Sequence, residues 1–193
     1  MSRFVSPPID QFDKLRQPLT NGERMVFDLF NVHLPIEWEI YLQPHLNGLR
    51  PDLVLLNPEV GIAVFEVKDW NLQAMQYSVQ ERKGKAPELL AEKDGKKFSI
   101  QSQNPIEKIY RYKHEIYELY CPRIKEKSGF AAITAGVIFP FATDGSVKKL
   151  FEKSLSHRGM NKFPYLYPLT GSNSLQAENI SAVFPESNRN LSS

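Results

Sequence analysis

The apolar positions of this chain follow a helical period near its start and a strand period soon afterwards. The first pattern opens at Asn21-Gly22 and predicts a helix, because its apolar residues fall on one face. Those residues are Met25, Val26, Leu29 and Phe30. Residues 37–42 alternate as a strand does, and the apolar runs 51–56 and 60–68 flank a short turn, which predicts an antiparallel pair of strands.

Residues 60–68 form the strand that carries the most chemistry in this pattern. Successive side chains of a strand point to opposite faces, so residues two apart share a face. One face holds Ile62, Val64, Glu66 and Lys68, and the other holds Ala63, Phe65 and Val67. Both faces are apolar until the last residues, which predicts a central and buried strand.

An acid and a base at the end of a buried strand are costly unless they pair or bind something. Asp52 begins the preceding strand and can lie across from Glu66 and Lys68. Two carboxylates and a lysine that converge at a sheet edge suit metal-assisted attack on a phosphodiester. The alternative is a purely structural ion pair between Glu66 and Lys68.

The rest of the chain alternates between strand and helix patterns. In chain order we expect strands within residues 71–100 with turns at 83–85 and 94–95, a helix from Asn104 to Pro122, a strand at 133–139, a helix at 147–155 and a possible last strand at 163–169. Asn104 suits the N-cap of its helix and Pro105 the first helical position. This order predicts an α/β or α+β sheet with helices on both faces.

Length and composition indicate a single domain. The 193 residues are 41% hydrophobic and 24% charged, values that are ordinary for a globular protein. We expect an irregular lead-in over residues 1–19, one domain over 20–185 and a polar tail or linker over 186–193. No apolar run approaches the roughly 20 residues of a membrane span, no apolar leader opens the chain, and the only cysteine is Cys121, so we expect a cytoplasmic protein without a membrane partner.

Charge is unevenly distributed along the chain. Residues 1–69 carry 10 acidic and 6 basic side chains, whereas residues 70–193 carry 12 acidic and 18 basic ones. An acidic part beside a basic part suits a metal site flanked by a surface that binds a polyanion, although ordinary solvated charge would give the same totals. The four histidines are scattered, so no cluster suits zinc.

Four segments together resemble the nuclease-related domain, NERD, of the restriction-endonuclease-like PD-(D/E)xK superfamily. They are Asn21-Gly22-Glu23, Arg50-Pro51-Asp52, the strand that ends in Glu66-Val67-Lys68-Asp69-Trp70, and Gln103-Asn104-Pro105-Ile106. Their order and spacing over residues 20–140 are far more specific than Pro-Asp or Glu-x-Lys alone. The resemblance implies an α/β fold with a restriction-endonuclease-like mixed β-sheet flanked by helices on both faces.

The resemblance also implies a metal-dependent nuclease that acts on DNA, in DNA processing or repair. By this analogy Asp52 and Glu66 bind Mg²⁺ or Mn²⁺, with the Val67 carbonyl as a further ligand. Lys68 would orient the attacking water or stabilise developing negative charge, and Glu23 would be an outer or second-metal carboxylate. Related domains often precede helicase modules, so DNA and a helicase are the implied partners.

One position departs from the family pattern. Relatives often carry glutamine in the second helix, four residues before a tyrosine, where this chain has Lys108 before Tyr112. We expect Lys108 and Tyr112 to contact nucleic acid, with Gln103 as a candidate substitute for the missing glutamine. The lysine also leaves open a weakly active or inactive nucleic-acid-binding module, and a third alternative is a nuclease for RNA or modified DNA.

Overall fold

A six-stranded mixed sheet is the centre of the fold in the computed structural model, which describes residues 2–120 and 129–188. In chain order the strands are β1 (Val5–Ser6), β2 (Glu39–Leu42), β3 (Leu53–Asn57), β4 (Gly61–Val67), β5 (Gln76–Arg82), β6 (Lys85–Lys93), β7 (Lys96–Ser99), β8 (Ile133–Phe139) and β9 (Leu169–Gly171). The large sheet has the order β1-β2-β3-β4-β8-β9, and β5, β6 and β7 form a separate antiparallel sheet. β4 pairs antiparallel with β3 and parallel with β8, which confirms the predicted pair and the central position of its second strand.

Helices cover both faces of the large sheet. In chain order they are α1 (Asn21–His33), α2 (Pro105–Glu115), α3 (Asp144–His157), α4 (Ser172–Gln176) and α5 (Ile180–Val183). The long helices begin after Thr20, Asn104 and Thr143, whose side chains each accept a hydrogen bond from a backbone N–H of the first turn. Because α1 packs on one face and α2 and α3 on the other, the predicted α/β fold class is confirmed. The architecture is compatible with a restriction-endonuclease-like fold.

The alternation of side chains along β4 divides the core into two clusters. Ala63, Phe65 and Val67 belong to the cluster under α1, whereas Val64 belongs to the cluster under α2 and α3. Each large apolar side chain that is fully buried contributes about 1.5–3 kcal/mol relative to exposure, so packing holds β4 from both sides. Glu66 follows Val64 on the face of α2, as the period of two predicts.

An aromatic stack joins the small sheet to the large one. Trp70 follows β4 and lies on Tyr77 of β5, with ring centroids 4.9 Å apart and planes that differ by 1°. Trp70 also contacts Phe139 at the end of β8 in an edge-to-face arrangement, with ring centroids 5.9 Å apart. The small sheet is therefore anchored a few residues beyond the Glu-x-Lys segment.

The predicted last strand is shorter than expected. The sequence predicts a strand over residues 163–169, whereas β9 begins only at the end of that range. The carbonyls of Leu166 and Pro168 accept hydrogen bonds from the N–H groups of Ala135 and Val137 on β8. Pro168 has no N–H to donate in return. The segment therefore lies along the sheet but cannot form a complete ladder.

The second helix changes its geometry before its expected end. α2 ends at Glu115 and continues as a π-helical turn over Ile116–Tyr120. The end predicted at Pro122 lies outside the described residues. In the parts of the chain that the structure covers, every helix is too short or too polar to cross a bilayer.

Segments near both ends of the described chain pack against the rest of the domain. The lead-in, expected to be irregular, contributes β1, which pairs in parallel with β2. At the other end, the indole N–H of Trp38 donates to the carbonyl of Ser187 at 2.8 Å, and Ser187 is buried in a short 3-10 turn, Pro185–Asn188. Trp38 thus holds the chain one residue beyond Glu186, where the polar tail is predicted to begin.

Candidate active site

Glu66 is the centre of a hydrogen-bonded cluster near the C-terminal end of β4. Its side chain is buried, with 1% of the residue surface exposed. Oε1 accepts from the ammonium groups of Lys68, at 2.6 Å, and Lys108, at 2.7 Å. Oε2 accepts from the hydroxyl of Tyr112 at 2.8 Å. These donors meet the requirement that a buried charge be paired and hydrogen-bonded.

The register of β3 and β4 brings Asp52 beside Glu66. Leu53 pairs with Phe65, so the residue before Leu53 stands opposite Glu66 and shares its face. Oδ2 of Asp52 accepts from the N–H of Val67 at 2.7 Å. The N–H and C=O of one strand residue point to the same edge, so the carbonyl of Val67 also points toward Asp52. Asp52, Glu66, Val67 and Lys68 are therefore adjacent, as the sequence predicts.

Burial and the neighbouring carboxylates shift the pKa values of Asp52, Tyr112 and Lys108. Burial raises the pKa of Asp52 well above its ordinary value, and the charge of Glu66 raises it further, although the Val67 N–H acts in the opposite direction. Burial likewise raises the pKa of Tyr112, again with a contribution from Glu66. Burial lowers the pKa of Lys108, but the charge and hydrogen bond of Glu66 outweigh it, so the net shift is upward. Lys108 therefore stays an ammonium group.

The position at which α2 begins determines that Lys108 and Tyr112 lie beside Glu66. The side chain of Asn104 accepts from the N–H of Ile106 at 3.0 Å, and Pro105 occupies the first helical position. Lys108 and Tyr112 are four residues apart and so lie on the same side of the helix. That side faces the sheet, because α2 packs against β4 and β8. The position of the helix start thus places both side chains beside Glu66.

The contacts of Lys108 and Tyr112 with Glu66 are what the sequence reasoning missed. Both residues are predicted to contact nucleic acid, but Tyr112 is 3% exposed and has no ring face available to a base. The spacing of four was the signal that they point the same way. Gln103, the candidate substitute for the family glutamine, is exposed in the 3-10 turn before α2, whereas Lys108 itself reaches Glu66.

The carboxylate of Glu23 takes part in the capping of α1 at its N-terminus. Its Oε2 accepts from the N–H of Thr20 at 2.8 Å, while Thr20 Oγ1 accepts from the N–H of Glu23, which forms a capping box. Glu23 is close enough to add to the raised pKa of Asp52, but it makes no hydrogen bond to the cluster within the described chain. Its role as an outer or second-metal carboxylate stays a prediction.

Asp69 connects the site to α1. Its Oδ2 accepts from the N–H of Gly22 at 3.1 Å, and Oδ1 accepts from the hydroxyl of Thr20 at 3.1 Å. A Cβ at Gly22 would lie 2.1 Å from Asp69 Oδ1, so only glycine allows this approach. Since Asp69 follows Lys68 directly, the contact fixes the chain at the end of the Glu-x-Lys segment.

The oxygen atoms of the cluster fit a hard divalent cation. Asp52 and Glu66 offer carboxylates and Val67 a carbonyl, and Mg²⁺ is commonly held by one or two carboxylates with water completing its shell. Burial and the charge of Glu66 disfavour the ionised form of Asp52, and a bound cation would favour it. Among residues 2–120 and 129–188, no group of three or more His, Cys, Asp and Glu side chains is arranged to hold a metal. A metal here would rest on this carboxylate pair and the backbone oxygen.

Comparison with known proteins gives one family. The model of the nuclease-related domain, NERD, matches residues 19–140, a span that contains every residue of the cluster. Comparison with curated proteins and with solved structures gave no match.

Proposed function

The chain belongs to the nuclease-related domain family, and from that premise we propose that it is a metal-dependent nuclease that hydrolyses phosphodiester bonds in DNA. The observation that supports this is the convergence of Asp52, Glu66 and Lys68 at the end of β4. Phosphodiester hydrolysis needs oxygen ligands for a divalent cation and positive charge near the phosphoryl oxygens, and these residues offer both. The proposed setting is DNA processing or repair, with a helicase as partner.

The roles follow from the position of each group. Asp52, Glu66 and the carbonyl of Val67 would hold Mg²⁺ or Mn²⁺. When bound, such an ion lowers the pKa of a coordinated water and offsets charge on the phosphoryl group. Lys68 keeps its ammonium group 2.6 Å from Glu66, where it can orient the water or contact a phosphate oxygen. Tyr112 donates to the other oxygen of Glu66 and holds the carboxylate in one orientation.

A catalytically weak or inactive nucleic-acid-binding module is the second candidate. It is favoured by the hydrogen bonds that both oxygens of Glu66 already accept from this chain's own donors. In such a module Lys68 and Lys108 would contact phosphate, and no metal would be needed. It predicts salt-dependent DNA binding that survives Asp52→Asn, with no cleavage under any divalent cation.

Cleavage of single-stranded, double-stranded and branched DNA with Mg²⁺ or Mn²⁺ separates the two candidates. We expect wild type to cleave and Asp52→Asn and Lys68→Met to be inactive. The matched control is Glu59→Gln, which removes a carboxylate from the exposed turn at the far end of β3 and β4.

Three outcomes would change the proposal. Cleavage retained in both folded variants would remove the proposed centre. Intact DNA binding without cleavage by wild type would favour the binding module. Cleavage of RNA but not of DNA, with the same dependence on Asp52, would change the substrate and keep the site.

A further inference from the structure

Two ammonium groups share one oxygen of Glu66. Lys68 lies 2.6 Å and Lys108 2.7 Å from Oε1. Tyr112 donates to Oε2, so both carboxylate oxygens of Glu66 accept hydrogen bonds from side chains of the protein itself. A cation could not bind Oε1 at coordination distance while both ammonium groups remain there, because like charges at such range repel strongly. One lysine must leave before a metal binds this oxygen of Glu66.

The charges of the cluster indicate that Lys108 balances the charge of the second carboxylate. Asp52 and Glu66 are the carboxylates of the pair, and Lys68 and Lys108 together bring the charge of one divalent cation. Lys68 alone would leave the carboxylates with one uncompensated charge. In the absence of metal, Lys108 therefore supplies the compensation that buried carboxylates require.

The two lysines differ in how easily they can leave. The side chain of Lys68 is 15% exposed and that of Lys108 is 34% exposed. Lys68 is held by its chain, since its N–H donates to the carbonyl of Ile138 and the next residue, Asp69, is bound by Gly22. Both lysines have the same flexible four-carbon stem, but the Lys108 side chain is more than twice as exposed to solvent as that of Lys68. Lys108 is the lysine that can move away at the lower cost.

We propose that Lys108 competes with the divalent cation for Oε1 of Glu66, and that a phosphate of the bound nucleic acid draws Lys108 away, so that metal and DNA bind with positive coupling. This rests on the proposed nuclease function. The metal site would then be poorly loaded in the free protein and well loaded on the substrate. By linkage, metal must strengthen DNA binding by the same factor by which DNA strengthens metal binding.

Calorimetric titration of Mn²⁺ into protein without DNA tests the competition directly, with no dependence on activity. Lys108→Met is the main variant, because methionine removes the ammonium group and brings no hard oxygen ligand. Lys108→Gln is the second variant. The matched control is Arg111→Met, which removes one positive charge from the exposed side of the same helix.

We expect Lys108→Met to bind Mn²⁺ about ten- to a hundred-fold more tightly than wild type, as loss of one charge-assisted hydrogen bond to Glu66 allows. Arg111→Met should change the affinity by no more than about threefold, because an exposed charge is screened. A phosphorothioate-linked duplex should tighten Mn²⁺ binding in wild type and have a much smaller effect in Lys108→Met.

Equal or weaker Mn²⁺ binding by both Lys108 variants would overturn the competition. If Asp52→Asn still abolished Mn²⁺ binding in that case, the proposed nuclease site would stand without it. Absence of Mn²⁺ binding in wild type and in both Lys108 variants would overturn the competition and the metal-dependent function together. Thermal unfolding in the presence of a chelator checks that each variant is folded.

Discussion

The hydroxyl of Tyr112 donates a hydrogen bond of 2.8 Å to Oε2 of Glu66, across the interface between α2 and β4. The two residues are far apart in sequence, and both are almost fully buried. A neutral donor on a buried carboxylate stabilises its charge without adding a charge of its own. The bond therefore orients the carboxylate and also holds the helix on the sheet.

Tyr112→Phe should lower the free energy of unfolding by about 1.5–3 kcal/mol, because it removes a hydrogen bond to a buried charged group. Urea denaturation at neutral pH measures the change. Tyr165→Phe is the matched control, since Tyr165 is exposed and the substitution should have little effect. Equal stability of Tyr112→Phe and wild type would show that the bond contributes nothing to the fold.

Asp52→Asn should be more stable than wild type at neutral pH when no metal is present. Burial and the charge of Glu66 raise the pKa of Asp52 above its ordinary value of 3.8. The folded protein then binds more protons than the unfolded chain, so wild-type stability falls as pH rises from 3.8 through the raised pKa. The asparagine variant lacks this titration, and its advantage should vanish below pH 3.8.

Urea denaturation in a chelating buffer, repeated across pH, measures the effect of Asp52→Asn. The exposed Asp28 on α1 provides the control variant Asp28→Asn. Added Mg²⁺ should stabilise wild type but not Asp52→Asn, because the cation offsets the charge that the variant lacks. A variant that is less stable than wild type at neutral pH would show that the hydrogen bond from the Val67 N–H to this carboxylate outweighs the effects of burial and of Glu66.

Gly22→Ala should lower the free energy of unfolding by about 1–3 kcal/mol, the usual cost of overpacking. The new Cβ would lie 2.1 Å from Asp69 Oδ1 and 3.0 Å from Cγ of Pro140. Gly145→Ala is the matched control, because it also lies in the first turn of a helix but has no atom within 4 Å of the added Cβ. It should be neutral or stabilising by about 0.5–1 kcal/mol. Thermal or urea unfolding measures the stability of both variants. Equal changes in the free energy of unfolding would contradict the close approach of Asp69 to Gly22.

Because of Lys113, the free energy of unfolding should increase with pH above neutrality. It is fully buried, and its Nζ lies 4.2 Å from the ring centroid of Phe130 and 4.5 Å from that of Tyr167. Nζ has no hydrogen-bond partner within the described chain. Burial lowers the pKa of Lys113 from 10.5 to about 7. Between these values the unfolded chain binds the extra proton, so stability rises with pH by up to about 1.4 kcal/mol per unit.

Lys113→Met should remove this rise and should be more stable than wild type near and below pH 7, where the buried ammonium is charged. Denaturation from pH 6 to 10 measures the slope, and the exposed Lys162→Met is the control. A wild-type slope equal to that of Lys113→Met would show that Lys113 keeps its proton throughout this range.

The predictable part of the site depends on short-range patterns. A period of two along residues 60–68 places Glu66 and Lys68 on one face, and a short turn between β3 and β4 fixes the register that brings Asp52 opposite them. These features need only neighbouring residues and the geometry of a strand. They could therefore be predicted before the fold was known.

The contacts made by α2 depend on packing that the local sequence does not contain. The rotation of α2 is set by Ile106 and Ile109 against the sheet, and that rotation decides whether Lys108 and Tyr112 reach Glu66 or face water. A helical pattern shows which residues share a side, but not which strand that side meets. Lys113 lies between Ile109 and Ile116 on the apolar side of α2, and this position in the helical pattern indicates a buried lysine.

The stack of Trp70 on Tyr77 limits how the two sheets can move relative to each other. Parallel rings slide past one another more easily than they separate, because separation exposes both apolar faces to water. The stack therefore resists hinging of the small sheet away from the rings more strongly than sliding along their plane. Because Trp70 follows Lys68 by two residues, sliding of the rings would leave β4 undisturbed, whereas a hinge opening would pull directly on its end.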